Sequence, residues 1–309
     1  MPIVNTEIPI TSELNGRYLR EIAGKYPFVK LEEVGVTDFQ RPIWMLTIGT
    51  GKRHVLFTAA HHANEWITAL VLLKYAEDLA AAIQTEGVLY GQRAKELSEA
   101  VTIHLIPLVN PDGVDLVTGA IETESPQYMD AERLAEEYPA IPFPNGWKAN
   151  LLGTDLNLNY PAGWLQAREI KFSQGYTRPG PRDYVGRSPL NQMETLSLAE
   201  LTEKLNPDLV LAYHSQGKEI YWKFKDIFVP GAKELGEVMA RVSGYTLTDA
   251  PYESAFAGYK DWFIQRFRRP GYTVEVGSGE NPLPLSQFPE IYRDNVPLLN
   301  IAALGIENP

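Results

Sequence analysis

Two histidines and two glutamates stand where they could handle a metal ion and a proton: His62-Ala63-Asn64-Glu65, then His214, then Glu275. In a His-x-x-Glu segment at the start of a helix, positions i and i+3 share a face, so both side chains turn to one side. A distant histidine can complete the N/O ligand set of a catalytic zinc ion, which keeps its fourth position for water. Such an ion brings the pKa of its water towards about 7 and polarises a carbonyl. A free carboxylate must then take the water's proton and pass it to the leaving amine. Glu275 is the candidate, because it lies in the otherwise apolar run Tyr272-Thr273-Val274-Glu275-Val276-Gly277. A carboxylate on a buried strand is costly unless it is paired or used. Each piece is weak by itself: the chain has five histidines, His214 alone could be a core histidine, and Glu275 a structural ion-pair member. The joint pattern points to one zinc ion per chain, bound by His62, Glu65 and His214, in a hydrolase.

These residues follow buried strands. Arg53–Ala59 precedes His62, Asp208–Tyr213 runs into His214, and Tyr272–Val276 carries Glu275. Ligand sites of open α/β sheets form in the crevice at the carboxyl ends of strands, so the three ends can converge. Further strands are expected at Val29–Val36, Pro42–Ile48 and Ala100–Val109, the last halted by the turn formers Asn110-Pro111-Asp112-Gly113. Helices are expected over Thr11–Tyr26, Trp66–Ile83, Pro126–Glu137, Leu190–Leu205, 231–243, 258–268 and 290–305. Residues 118–190 otherwise read as one long irregular stretch, which in a compact domain is usually functional. The alternation makes an α/β fold with a mixed, mostly parallel twisted sheet covered by helices on both faces. With motifs from 62 to 275 and no repeat or linker, residues 1–309 read as a single catalytic domain.

The 309 residues, 44% hydrophobic and 22% charged, describe a globular chain with enough core to need no staple. Cysteine is absent, which excludes thiolate ligands, a cysteine nucleophile and disulfides. A net charge of −11 argues against a nucleic-acid groove or an anionic membrane as partner. The start of the chain shows no basic and apolar leader, and no apolar run approaches a membrane span, so a cytoplasmic protein is expected. No Gly-x-Ser-x-Gly elbow is present, and Gly49-Thr50-Gly51-Lys52 lacks P-loop spacing. Composition leaves the oligomeric state open.

From about residue 10 onward the sequence resembles the zinc carboxypeptidases, the carboxypeptidase A-like or funnelin peptidases. The matching pieces are His62-x-x-Glu65, Asn110-Pro111-Asp112-Gly113, Gly153-Thr154-Asp155-Leu156-Asn157, Tyr184-Val185-Gly186 with Glu194-Thr195, His214-Ser215, and Asp261-Trp262 followed by Thr273-Val274-Glu275. The resemblance implies a sheet of about eight strands, zinc on His62, Glu65 and His214, and Glu275 as general base. It also implies that Asp155 supports the His62 ring, since a carboxylate on the far nitrogen fixes tautomer and orientation.

Departures from the family bear on the substrate. Carboxypeptidases hold a terminal carboxylate with an Asn-Arg pair; here the segment is Asn157-Leu158-Asn159, and Asn64 replaces a further arginine before the zinc glutamate. Loss of a bidentate clamp removes recognition of a free C-terminus. Lys148, after Trp147, stands where the family's oxyanion arginine is found, and Tyr252 is the candidate for its mobile tyrosine if one residue is inserted. Lys260 falls where the family lines its specificity pocket, or else faces water on its helix. The segments His62-Ala63-Asn64-Glu65-Trp66-Ile67-Thr68, Pro161-Ala162-Gly163-Trp164 and Gly258-Tyr259-Lys260-Asp261-Trp262-Phe263 resemble the bacterial branch that cleaves γ-D-glutamyl–diamino acid bonds of wall peptides. The expected substrate is therefore a muropeptide. An ordinary metallocarboxypeptidase, a zinc deacylase of small N-acyl amino acids and a non-catalytic binding module on the same scaffold are the competing readings.

Overall fold

The computed structural model describes residues 2–305; Met1 and residues 306–309, the ends of the span read as one domain, lie outside the described residues. In chain order the strands are β1 (Lys30–Val36), β2 (Pro42–Ile48), β3 (Arg53–Ala59), β4 (Val88–Leu89), β5 (Gln92–Arg93), β6 (Val101–Ile106), β7 (Leu209–Ser215), β8 (Glu219–Tyr221), β9 (Thr246–Thr248) and β10 (Gly271–Val276). The helices are α1 (Ser12–Lys25), α2 (Ile67–Gln84), α3 (Ala94–Ala100), α4 (Pro111–Val117), α5 (Pro126–Glu136), α6 (Trp164–Ser173), α7 (Met193–Leu205), α8 (Ala232–Ser243), α9 (Tyr259–Phe267) and α10 (Phe288–Leu304). β4 and β5 form a separate small hairpin, and the other strands make one sheet in the order β1-β2-β6-β3-β7-β10-β8-β9.

The centre of that sheet is parallel. β6 pairs with β3, β3 with β7, and β7 with β10, all in parallel register. β1, β2 and β8 join antiparallel to their inner neighbours, which gives the mixed α/β sheet that was expected. Every residue of β6 and β7 is buried, because helices cover both faces and leave no wet side to alternate with. Side chains still divide by the two-residue period of a strand. Val55, Phe57, Leu209, Leu211, Tyr272 and Val274 pack with Leu70 of α2, Met239 of α8 and Leu299 of α10. Leu56, Val210 and Ala212 pack with Leu198 of α7 and Phe263 of α9 on the other face. Each fully buried Leu, Val or Phe contributes roughly 1.5–3 kcal/mol, so the scaffold is held by its two apolar layers and not by an ion. Among the described residues no helix is long and apolar enough to cross a membrane.

Three differences from the sequence expectations have local causes. Asn110-Pro111-Asp112-Gly113 does not form a turn but starts α4: the Asn110 side chain accepts from the Gly113 N–H at 3.0 Å and Pro111 occupies the first helical turn. Asn and Pro favour turns and helix starts for the same backbone reasons. The stretch 118–190 holds α6 as well as α5; only Trp164, Ala167 and Lys171 of α6 are buried, too narrow a stripe to read as an amphipathic pattern. The short strands β8 and β9 went unread because three residues carry no periodicity.

Candidate metal centre and active site

The chain leaves β3 through Ala60 and His61, and both are pinned. Asn110 donates its side-chain N–H to the His61 and Ala149 carbonyls, and the Thr68 hydroxyl accepts from Ala60 N and donates to the Glu65 carbonyl. His62 then precedes a short 3₁₀ turn, Ala63–Glu65, whose first N–H donates to the Lys148 carbonyl at 2.9 Å. This turn puts His62 and Glu65 side by side. His214 continues the Val210–Ala212 series of β7 towards the α9 face of the sheet, and Glu275 lies opposite it in the β10 register.

The three side chains close on one point. His62 Nδ1 lies 2.9 Å from Glu65 Oε1, His214 Nδ1 lies 2.9 Å from Glu65 Oε2, and the two Nδ1 atoms are 3.1 Å apart. Among the described residues this is the one group of three or more potential ligands whose atoms gather so closely. Hydrogen bonds alone do not satisfy it: if each ring donates from Nδ1 to Glu65, two N–H groups confront each other. Three donors around a tetrahedral ion with bonds of about 2.0–2.2 Å would lie roughly 3.3 Å from one another, close to the distances found. The donor set therefore fits a zinc ion, with both Nδ1 atoms turned into lone-pair donors.

The surroundings reinforce that fit. His62 Nε2 is 3.1 Å from Asp155 Oδ1, and Asp155 is itself fixed, its carboxylate accepting from Asn157 N at 3.1 Å and Asp183 N at 3.2 Å. Burial alone would raise the Asp155 pKa, but the adjacent His62 charge and its hydrogen bond hold it well below the usual carboxylate range. Burial would lower the His62 pKa, but Glu65 and Asp155 outweigh it and lift it to about 9. For His214 burial prevails and the pKa falls. Glu275 behaves in the opposite way to Asp155: burial and the Glu65 charge push it up to about 8, against the pull of Lys148 and His62.

A cleft of about 790 Å³ opens over this centre, and His62, Glu65, Lys148, Asn157, Lys260 and Glu275 all line it. Lys148 Nζ is 3.2 Å from Glu65 Oε1. Asn157 accepts from Tyr259 N at 3.0 Å, tying the cleft wall to the start of α9. Lys260 is buried rather than solvated; it donates to Asp261 and to the Lys223 carbonyl. Leu158 is not in the cleft but packs in the apolar layer with Leu156 and Tyr160. Tyr252 is placed differently. Its side of the turn Tyr252–Ser254 faces outward, it is 62% exposed, its hydroxyl accepts from Gln166 and its ring rests on Phe256. Neighbouring Pro251 and Ser254 line the cleft, but Tyr252 does not.

Arg182 was not foreseen. It lines the cleft from the loop between α6 and α7, where Gly180-Pro181-Arg182-Asp183 carries no motif. Asn64, noted only as a replacement, is buried in the wall with its Oδ1 unpaired. His61 lies beneath the centre, its ring stacked at 5.6 Å on that of His214.

The sequence pattern of the zinc carboxypeptidases matches residues 16–298. The chain belongs to the zinc carboxypeptidase family. As a member it is a zinc-dependent metallopeptidase. It is 39% identical over 278 residues to γ-D-glutamyl-L-diamino acid endopeptidase 1 of Lysinibacillus sphaericus, covering 89% of this chain and 67% of that one. It is 37% identical over 276 residues to the uncharacterized protein YqgT of Bacillus subtilis (strain 168), covering 89% and 72%. Its fold superposes on carboxypeptidase A of Helicoverpa armigera with a TM-score of 0.72 at 18% identity, covering 99% of this chain and 76% of that one.

Proposed function

We propose that this zinc carboxypeptidase homologue hydrolyses the γ-D-glutamyl–diaminopimelate amide of murein peptides. The observation that carries the reading is Leu158: where a C-terminal exopeptidase needs a guanidinium, this chain buries an aliphatic side chain outside the cleft. The likeness to the Lysinibacillus endopeptidase supports it. So does the cleft's ion pair. The distal end of diaminopimelate bears one ammonium and one carboxylate, and Lys260 beside Asp261 offers one group of each sign.

In this reading His62, Glu65 and His214 hold zinc, and Asp155 keeps the His62 ring in its ligating orientation. When bound, the ion supplies Lewis-acid polarisation of the scissile carbonyl and a water acidic enough to act near neutral pH. Glu275 takes the proton of the attacking water and delivers it to the nitrogen of the departing diamino acid. Lys148, beside Glu65, faces the negative charge that develops on the carbonyl oxygen.

The test is hydrolysis of L-Ala-γ-D-Glu-meso-diaminopimelate beside an ordinary peptide with a free C-terminus, with and without a chelator. Release of diaminopimelate that stops on chelation is expected. Chelator-sensitive trimming of the ordinary peptide alone would overturn the γ-glutamyl assignment while leaving a metallocarboxypeptidase.

A further inference from the structure

Three cations line the cleft, and the reading above gives two of them a role. Lys148 is held by Glu65, and Lys260 by Asp261 and the Lys223 carbonyl. Arg182 differs. Only its Nε is engaged, 2.6 Å from Asp183 Oδ2, and among the described residues its two terminal nitrogens have no hydrogen-bond partner. The side chain is 39% exposed, so those nitrogens are within reach of a solute in the cleft.

The anchorage is built, not incidental. The second oxygen of Asp183 is taken by the buried Lys171 of α6 at 2.7 Å, and Asp183 N donates to Asp155 Oδ2. Asp155 in turn bears on the far nitrogen of His62. The Pro181 carbonyl accepts from the backbone of both Lys148 and Ala149, at 2.7 and 2.9 Å. Arg182 is thus locked to the segment that carries Lys148 and bears on His62. With Nε occupied, the guanidinium still presents two parallel N–H groups from its terminal nitrogens, the fork that suits a carboxylate.

We propose that Arg182 is a specificity-determining residue that binds a carboxylate on the acyl side of the scissile bond, the group that a γ-linked glutamyl residue supplies as its free α-carboxylate. This rests on the γ-glutamyl reading above and names what recognises the free carboxylate of the glutamyl residue. In a γ-linked residue the carboxylate carbon lies four bonds from the scissile carbonyl, roughly 5 Å when extended. An α-linked residue without an acidic side chain places no carboxylate there. Arg182 therefore replaces the missing C-terminal clamp with a clamp on the other side of the bond.

The experiment compares L-Ala-γ-D-Glu-meso-diaminopimelate with the same peptide bearing an α-carboxamide on the glutamyl residue, using zinc-loaded wild type, Arg182→Gln and Arg182→Lys. Wild type is expected to favour the carboxylate in kcat/KM by about 10- to 100-fold, the range for a charge-assisted pair. Arg182→Gln should bring that ratio close to one by raising KM for the carboxylate substrate alone, and Arg182→Lys should restore part of it. Zinc content and melting temperature should stay at wild-type values. An equal loss on both substrates, or a wild type indifferent to the amide, would overturn the inference and leave the γ-glutamyl reading standing. A wild type that releases diaminopimelate from neither substrate, yet trims an ordinary peptide, would sink that reading and the role of Arg182 with it.

Discussion

The sheet carries two histidine pairs, and their environments differ in what they add to burial. Near the start of β3 and in the middle of β6, His54 Nδ1 lies 3.0 Å from His104 Nε2, with the Thr47 hydroxyl on the other His104 nitrogen. Beyond the end of β3 and near the end of β7, His62 Nδ1 lies 3.1 Å from His214 Nδ1. The first pair has hydroxyl and imidazole neighbours, so burial drives His104 down to about 4 and leaves it neutral. The second has Glu65 and Asp155 against its rings and Lys148 beyond them. Burial is common to both. The carboxylates are what turn a satisfied core contact into a site for a cation.

The comparison breaks most sharply under substitution. His214→Ala should abolish zinc retention and bring turnover to background while the fold survives. His104→Gln should retain one zinc per chain and keep activity within about two-fold, since its side-chain contacts are Thr47 and His54 and none is a metal ligand. Metal analysis and rate assays on the two variants check this. Glu275→Gln should keep zinc but lose roughly 10²–10⁴-fold in kcat, the usual range for removing a positioned proton acceptor; if it retained most of its rate, another group would be the base.

Stability against pH sharpens the contrast. The folded-state pKa of His104 is depressed from 6.5 to about 4, so between these values the unfolded chain binds a proton that the folded chain refuses. Stability is therefore full above pH 6.5 and declines by about 3 kcal/mol as pH falls to about 4. Denaturant titrations should show that part of the slope flattening in His104→Gln. The smallest effect is expected at Tyr252, whose hydroxyl bonds Gln166 outside the cleft: Tyr252→Phe should change kcat/KM by no more than about two-fold.

What could be read from the sequence was set by short-range geometry. His62 and Glu65 share a helix-start face, and His214 and Glu275 sit on buried strands, so their convergence follows from the two-residue strand period and the parallel register. The sheet centre was legible for the same reason: β3, β6, β7 and β10 are short, mostly apolar runs. Tyr252 lies outside the cleft because its 3₁₀ turn is oriented by tertiary contacts, here with Phe256 and Gln166, that spacing does not encode. Arg182 was invisible because its placement depends on Asp183 being bridged by Lys171 from a helix that itself escaped detection. Spacing left Lys260 open between the cleft and water; its pairing with Asp261 and the Lys223 carbonyl belongs to the packed state.

The central claim is that three side chains from two strand ends form one metal centre. The most direct measurement is a crystal structure of the purified protein with diffraction recorded on both sides of the zinc absorption edge. The account predicts a single anomalous peak bonded by His62 Nδ1, the Glu65 carboxylate and His214 Nδ1, with Asp155 still on His62 Nε2. A zinc-loaded, active protein showing no peak there, or a peak held by other residues, would contradict it.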